Sequence, residues 1–333
     1  MLYRFLLAVA LVFLSTNATI VRLDCGTGGV TAAFDVNSAG EVAGSFADAK
    51  GYAHAAMWLP SGICHPAPGD AEEARGISDS SVLTGVMHRA RDGFVWDVSS
   101  GSLLNLTSYP YLGSRGYAIN RTNDVAGMVE ADAGIYKAAV FTAGGTVVGI
   151  GGLGGNQSIA LAVADDAPVA AGQSTVDPAR PWEIHGFVWM DGTIVDVGGF
   201  GGTDTRANGV VVDHWPDTSS VFVVGQSAPF SGADDYAFLW HDHILSRLPP
   251  LGSKYAAAYG INRRHDIVGW SKSLSGDHVA VIWPHATSPI DLNTLLPPGS
   301  GWVLNEARAI NDSGAIAGIG QYRGVRKGFL LFP

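Results

Sequence analysis

Charge is scarce: only 15% of the 333 residues are Asp, Glu, Lys or Arg, and no basic run occurs. With a formal net charge of −10, the chain offers nothing that would neutralise a phosphate backbone or an anionic bilayer, which argues against nucleic acid or such a membrane surface as partner. A long apolar run is also missing. The longest, Leu6 to Leu14, falls short of the roughly 20 residues a membrane-crossing helix needs. Apolar positions do not recur with a helical period of about 3.6 anywhere after it, so helices are not expected. The familiar catalytic signatures are absent too: there is no G-x-S-x-G elbow, no P-loop, no H-E-x-x-H and no Cys-His zinc framework.

What remains at the amino end is a short basic start at Arg4, the apolar stretch, and the small residues around Thr16-Asn17-Ala18. This pattern predicts a secretory signal over residues 1–18 and an exported mature chain, extracellular or periplasmic. Residues 19–333 contain most of the 44 Gly and 16 Pro, a composition of short strands and tight turns. By length they suggest two domains, but all-β folds of this size commonly form one, and a single domain is expected.

Self-similarity supplies the architecture. An aliphatic anchor recurs at Val36, Ile77, Ile119, Val163, Val210, Ile261 and Ile310, with gaps of 41, 42, 44, 47, 51 and 49 residues. Each interval accommodates four short β segments. The first carries the anchor; the second follows a polar turn, as in Val42-Ala43-Gly44 and Ile316-Ala317-Gly318. The third ends on a large aromatic: Trp58, Trp96, Phe141, Trp189, Trp240, Trp283 or Phe332. The fourth is short and aliphatic. Four strands per repeat at this spacing predict an all-β, seven-bladed β-propeller with four-stranded blades. Three residues before each anchor stand Ala33, Ala74, Gly116, Ala160, Ala207, Ala258 and Ala307, which places the first segment innermost, where converging blades leave room only for small side chains.

The seventh repeat runs out after its third segment, at Phe329-Leu330-Leu331-Phe332. A spare segment, Thr19-Ile20-Val21-Arg22-Leu23, precedes the first repeat and is similar to Thr193-Ile194-Val195-Asp196-Val197. The amino-terminal strand is therefore expected to complete the last blade and close the ring, pairing two edges that would otherwise be open.

The pattern resembles the HAF-repeat family of extracellular bacterial proteins, named for a His-Ala-Phe step in the third strand. The corresponding steps here are His54-Ala55-Ala56, His185-Gly186-Phe187, Tyr236-Ala237-Phe238 and His278-Val279-Ala280. Turns at Asn120, Asn262 and Asn311 and at Gly154-Gly155 and Gly201-Gly202 add to the likeness. The resemblance implies an extracellular compartment and a repeat type, and no reaction.

Strand order sorts the loops onto two faces. Turns between second and third strands share one face with the crossovers between blades; the remaining hairpins share the other. On the crossover face, Asp177, Arg180, Trp182 and Glu183 of the fourth blade join Phe230, Asp234 and Asp235 of the fifth and the crossover residues Tyr109, Tyr111 and Trp302. Tyr109, Tyr111, Arg180, Trp182, Phe230 and Trp302 are candidates for stacking on a sugar or pinning a peptide; capping the wedges between blades is their structural alternative. Asp177, Glu183, Asp234 and Asp235 are the carboxylates a glycosidase or lyase would use as acid and base. On the opposite face, His214, His241, His243 and His265, with His285 and neighbouring aspartates, fall in hairpins of blades 5 and 6. They are candidate ligands for a divalent metal or else solvated turn residues, since no pair has a ligand-fixing spacing. No other cofactor is expected. Gly149-Ile150-Gly151-Gly152-Leu153-Gly154 matches a dinucleotide fingerprint, but it leads to a strand and not a helix, so it reads as a turn between blades. Cys25 and Cys64, the only cysteines, either bridge the closing strand to the first blade or remain as two thiols.

Three functions stay open on this footing. The first is a secreted binding module for a glycan, peptide or cell-envelope partner, using the crossover face and the mouth of the central channel. The second is a carbohydrate-active enzyme, a polysaccharide lyase or glycoside hydrolase. The third is a structural surface protein.

Overall fold

A computed structural model describes residues 18–88, 92–106, 110–215, 218–230, 235–252 and 254–333; of positions 214, 215, 218 and 219 it describes the backbone alone. The strands form seven four-stranded antiparallel sheets arranged as the blades of a propeller. Their innermost strands are Thr31–Val36, Ala71–Ile77, Gly113–Ile119, Ser158–Val163, Thr205–Trp215, Ala256–Ile261 and Trp302–Ile310. In blade 7 the order outward is Trp302–Ile310, Ile316–Tyr322, Val325–Phe332 and then Thr19–Leu23. The amino-terminal strand pairs with the last strand in the register Thr19 to Phe332 through Leu23 to Gly328, so the ring is closed by the two ends of the chain. A disulfide between Cys25 and Cys64, with Cα atoms 5.3 Å apart, ties this closing strand to the outer edge of blade 1. The expected secretory signal lies outside the described residues, among which no helix is long and apolar enough to cross a membrane.

Apolar side chains are buried between blades. Seven hydrophobic clusters occupy the seven junctions, each drawing side chains from two successive blades. At the closure, Leu23, Ala317 and Leu330 of blade 7 pack on Ala33, Val42 and Trp58 of blade 1. The third-strand aromatics serve these wedges, with Trp58 and Trp283 fully buried. The small-residue column is buried as its position requires: Ala33, Ala74, Ala160, Ala207, Ala258 and Ala307 all have no exposed surface.

Every inner strand carries a β-bulge at the same place. The pairing skips one residue between Ala33 and Asp35, and likewise in the other six blades. The bulge explains the glycine that ends each Val-Ala-Gly-like step of the second strand. A Cβ on Gly44 would sit 2.0 Å from the carbonyl oxygen of Ala32, and one on Gly85 only 1.8 Å from that of Glu73. Gly127, Gly172, Gly225, Gly269 and Gly318 meet the same carbonyl in their own blades at 1.9–2.2 Å. The bulge pushes the inner backbone over the second strand, and only hydrogen fits beneath it.

Blade 5 departs from the expected pattern. Its first two strands run Thr205–Trp215 and Thr218–Ser227, so the inner strand continues five residues beyond its anchor Val210. Where the other repeats place Asn, Ser or, in the fourth, Ala164 after the anchor, this one has Val211 and Val212, which favour continued strand over a turn. The resulting hairpin is the long feature of the face opposite the crossovers.

Candidate functional site

The bulge has a second effect. The seven skipped residues, Phe34, Arg75, Tyr117, Leu161, Asn208, Tyr259 and Arg308, have no ladder partner, and all seven line one cavity of about 420 Å³ on the central axis. They vary from blade to blade while the residues around them stay small. Arg75 lies against two aromatic rings from its neighbouring blades, 5.7 Å from the centroid of Phe34 and 5.4 Å from that of Tyr117. Arg308 stacks over Tyr259 at 4.4 Å. Each arginine has its own carboxylate two residues away on the same strand, Glu73 at 2.5 Å for Arg75 and Glu306 for Arg308. The floor of the cavity is therefore aromatic and close to electrically neutral.

The mouth is framed by the turns joining first to second strands. Here a buried asparagine recurs, and its Nδ2 donates to the backbone carbonyl of the equivalent residue in the next blade: Asn37 to Ser78 (3.0 Å), Asn120 to Ala164 (3.1 Å), Asn262 to Asn311 (3.0 Å) and Asn311 to Asn37 (2.8 Å). One residue further along, aspartates accept from the backbone N–H of the preceding blade. Asp79 receives Ser38, Asp165 receives Arg121 and Asp312 receives Arg263, at 2.9, 2.9 and 3.0 Å. These bonds fix the rim.

Two long side chains cross it. Arg121 of blade 3 reaches Asp166 of blade 4 at 3.2 Å, and Arg263 of blade 6 pairs with the same carboxylate from the far side of the channel. Asp166 thus joins arginines from blades that do not touch one another, and the three groups lie across the opening. On the wall, Asp35 accepts from the backbone N–H of Val36 (2.8 Å) and from Ile77 in blade 2 (2.9 Å). Burial pushes its carboxyl up to about 6, against the lowering pull of those two donors. Burial likewise raises the Asp165 carboxyl and the Tyr259 phenol.

A second, open cavity of about 510 Å³ adjoins the first on the same face, between blades 3 and 4. The two share Asn120, Val163, Asp165 and Asp166, and the outer one extends past Pro168 to Trp189. The Asp165-Asp166 turn is the sill between them.

The residues singled out on the crossover face are distributed differently. Trp182 and Phe230 stand exposed, at 63% and 62% of their surface. Arg180 lies between Asp177 (3.0 Å) and Glu183, pairing with both. The backbone N–H of Ala179 and then Arg180 hold the Asp177 carboxyl below its ordinary value, which suits an ion pair and not a proton donor. Asp235 accepts from Gln226 Nε2. Trp302 opens the inner strand of blade 7 and packs on Tyr322 and Phe329, with ring centroids 5.3 and 6.2 Å away. Tyr111 packs against the cluster between blades 2 and 3. Tyr109 and Asp234 lie outside the described residues.

Among the histidines, His241 and His265 come together, both packed on the ring of Phe222 with centroids 4.0 and 4.2 Å away. His265 also meets Asp213 at 2.9 Å. His243 sits edge-on to Trp240, and His285 accompanies Asp266 and the Arg264 carbonyl. The side chain of His214 is not among those described. No three His, Cys, Asp or Glu side chains among the described residues are arranged to hold a metal ion.

The central residues escape a sequence reading because a bulge breaks the two-residue alternation of a strand. Their only signal is positional: each lies two residues before its anchor, between the small residue three before it and the Asp, Gly or Ala one before it.

No protein-family model matches the chain, and no curated protein sequence matches it. Solved structures do. A virginiamycin B lyase from Staphylococcus aureus superposes with a TM-score of 0.57 at 12% identity, over 95% of this chain and 99% of its own. An acylaminoacyl peptidase from Pyrococcus horikoshii gives 0.57 at 11% identity over 90% of this chain, which spans only 52% of the peptidase. YCF48, solved bound to D1 peptide, gives 0.50 at 9% identity over 94% of each chain. At such identities the likeness establishes the fold, a seven-bladed β-propeller.

Proposed function

We propose that this chain is an exported binding module that takes an extended polar ligand, a peptide or glycan segment, on the face framed by the first-to-second-strand turns. One residue of the ligand descends into the axial cavity, and its neighbours lie in the groove between blades 3 and 4. The observation that carries this reading is the continuity of the two spaces at Asp165 and Asp166. A cavity of about 420 Å³ is also of the size small ligand groups occupy. Rigid inner strands with one freely chosen residue per blade are a means of presenting convergent polar groups. YCF48, a propeller of the same general fold, was solved with a peptide, which makes peptide binding a natural use of such a scaffold.

Export is supported by the Cys25–Cys64 bridge, a bond that persists in oxidising compartments, and the HAF-repeat likeness points the same way. The enzyme reading is the weaker one, because Asp177 and Glu183 are both engaged by Arg180 in ion pairs. Peptide and glycan arrays probed with wild type, Leu161→Trp and Trp182→Ala test the assignment. Leu161 lines the cavity and Trp182 stands exposed on the crossover face. Binding lost in Leu161→Trp and kept in Trp182→Ala supports the axial site; the reverse result rejects it.

A further inference from the structure

We infer that the group taken into the axial cavity is a cation, the arginine or lysine side chain of an extended peptide. This deepens the proposed function and rests on its axial site. The rim holds four carboxylates, Asp79, Asp165, Asp166 and Asp312, against two guanidiniums, Arg121 and Arg263. The two arginines of the floor do not offset this surplus, since Glu73 and Glu306 already neutralise them. The opening is therefore negative, and low-dielectric walls focus its field on an entering charge.

The carboxylates are also presented in a particular way. In Asp79, Asp165 and Asp312 one oxygen is anchored by a backbone N–H of the preceding blade. The other oxygen lies 4.0, 3.9 and 3.7 Å from the nearest arginine nitrogen, beyond direct hydrogen-bonding reach. Three fixed Oδ2 atoms around one opening thus retain acceptor capacity for donors brought by a ligand. A guanidinium carries five such donors in a planar fork, and an ammonium three. The channel already holds groups of this kind against its aromatic rings, Arg75 by Phe34 and Tyr117 and Arg308 by Tyr259. An incoming cation also replaces Arg121 or Arg263 on Asp166 without leaving that carboxylate unpaired. An anion would have to displace Asp166 and face the remaining carboxylates.

Calorimetric titration with a blocked alanine pentapeptide carrying a central arginine, and with its lysine, glutamine and glutamate counterparts, tests the inference. The arginine and lysine peptides are expected to bind. The double variant Asp165→Asn/Asp312→Asn, which keeps an oxygen for each backbone N–H, is expected to weaken them about tenfold or more, as is a rise from about 0.05 to 0.5 M salt. Glutamate or glutamine peptides binding as well as arginine, with Leu161→Trp abolishing all, would overturn the charge assignment and leave the axial site standing. Arginine binding that survives Leu161→Trp would overturn both, and no binding by either cationic peptide would overturn the inference.

Discussion

Asn311 donates its side-chain N–H to the backbone carbonyl of Asn37, 2.8 Å away and 274 residues earlier in the chain. The same bond joins blades 1 to 2, 3 to 4 and 6 to 7, but only here does it span the two ends of the polypeptide. Its Oδ1 meanwhile accepts from Ala315 N–H and the Ser313 hydroxyl. Asn311→Ala leaves the buried Ala315 N–H without its partner and strips the Asn37 carbonyl of one of its two donors, the Gly40 N–H remaining, and is expected to cost on the order of 1–3 kcal/mol. Urea unfolding should show a lower midpoint for this variant, whereas Asn156→Ala, at an exposed position on the crossover from blade 3 to blade 4, should cost less. Equal losses would show that the closure bond has no special weight.

The glycines beneath the bulges should be the least replaceable positions in the molecule. Gly85→Ala drives a Cβ to 1.8 Å from the Glu73 carbonyl, backbone against backbone, while Gly149→Ala meets nothing within 4 Å. The first is expected to cost more than about 3 kcal/mol or to prevent folding, and the second to change stability by less than about 0.5 kcal/mol. Gly149 also opens the stretch that matches a dinucleotide fingerprint, so a marked effect of its replacement would reopen that reading.

Removing the disulfide frees the closing strand. Chain-entropy arguments give about 4 kcal/mol for a loop with the 39-residue separation of Cys25 and Cys64. Cys25→Ser/Cys64→Ser is therefore expected to unfold at lower temperature and to exchange the amides of Ile20 to Leu23 faster than those of the inner strands. Unchanged exchange in the closing strand would contradict this.

The Asp35 carboxyl gives a pH dependence of definite sign. Its folded value of about 6 lies above the ordinary 3.8, so between those values the folded state holds the proton more firmly, and stability falls as pH rises through the window. The effect amounts to roughly 3 kcal/mol at most. Asp35→Asn imitates the protonated form. Relative to wild type, its thermal midpoint should improve between about pH 4 and pH 7.5; a difference that stays flat across that range rejects the assignment.

The blade count, the strand roles and the closure were legible because each leaves a periodic mark: an anchor, a small-residue column, a spare strand at one end. The small residue just before each anchor follows in the same way from inner strands so close that a Cβ on Gly76 would lie 2.9 Å from the Ile119 nitrogen. The site was not legible in the same way. Arg263 and Asp166 are 97 positions apart and meet only because blades 4 and 6 face a common opening. Tyr111 and Trp302 have the composition of a binding surface but pack against the scaffold. Val210 carries the anchor pattern, yet two β-branched residues after it carry the strand past the expected turn.

The bulge divides the inner strand into positions that the scaffold dictates and one that it does not. Because the skipped residue makes no ladder bond and faces the axis, replacing it leaves the register alone, although Asn208 also donates to the Ala258 carbonyl of blade 6 and Tyr259 accepts from the Trp270 indole. Seven such places, one from each blade, surround a single small volume. A recogniser of a different molecule could be obtained by rewriting those seven letters and leaving the other positions of the ring alone.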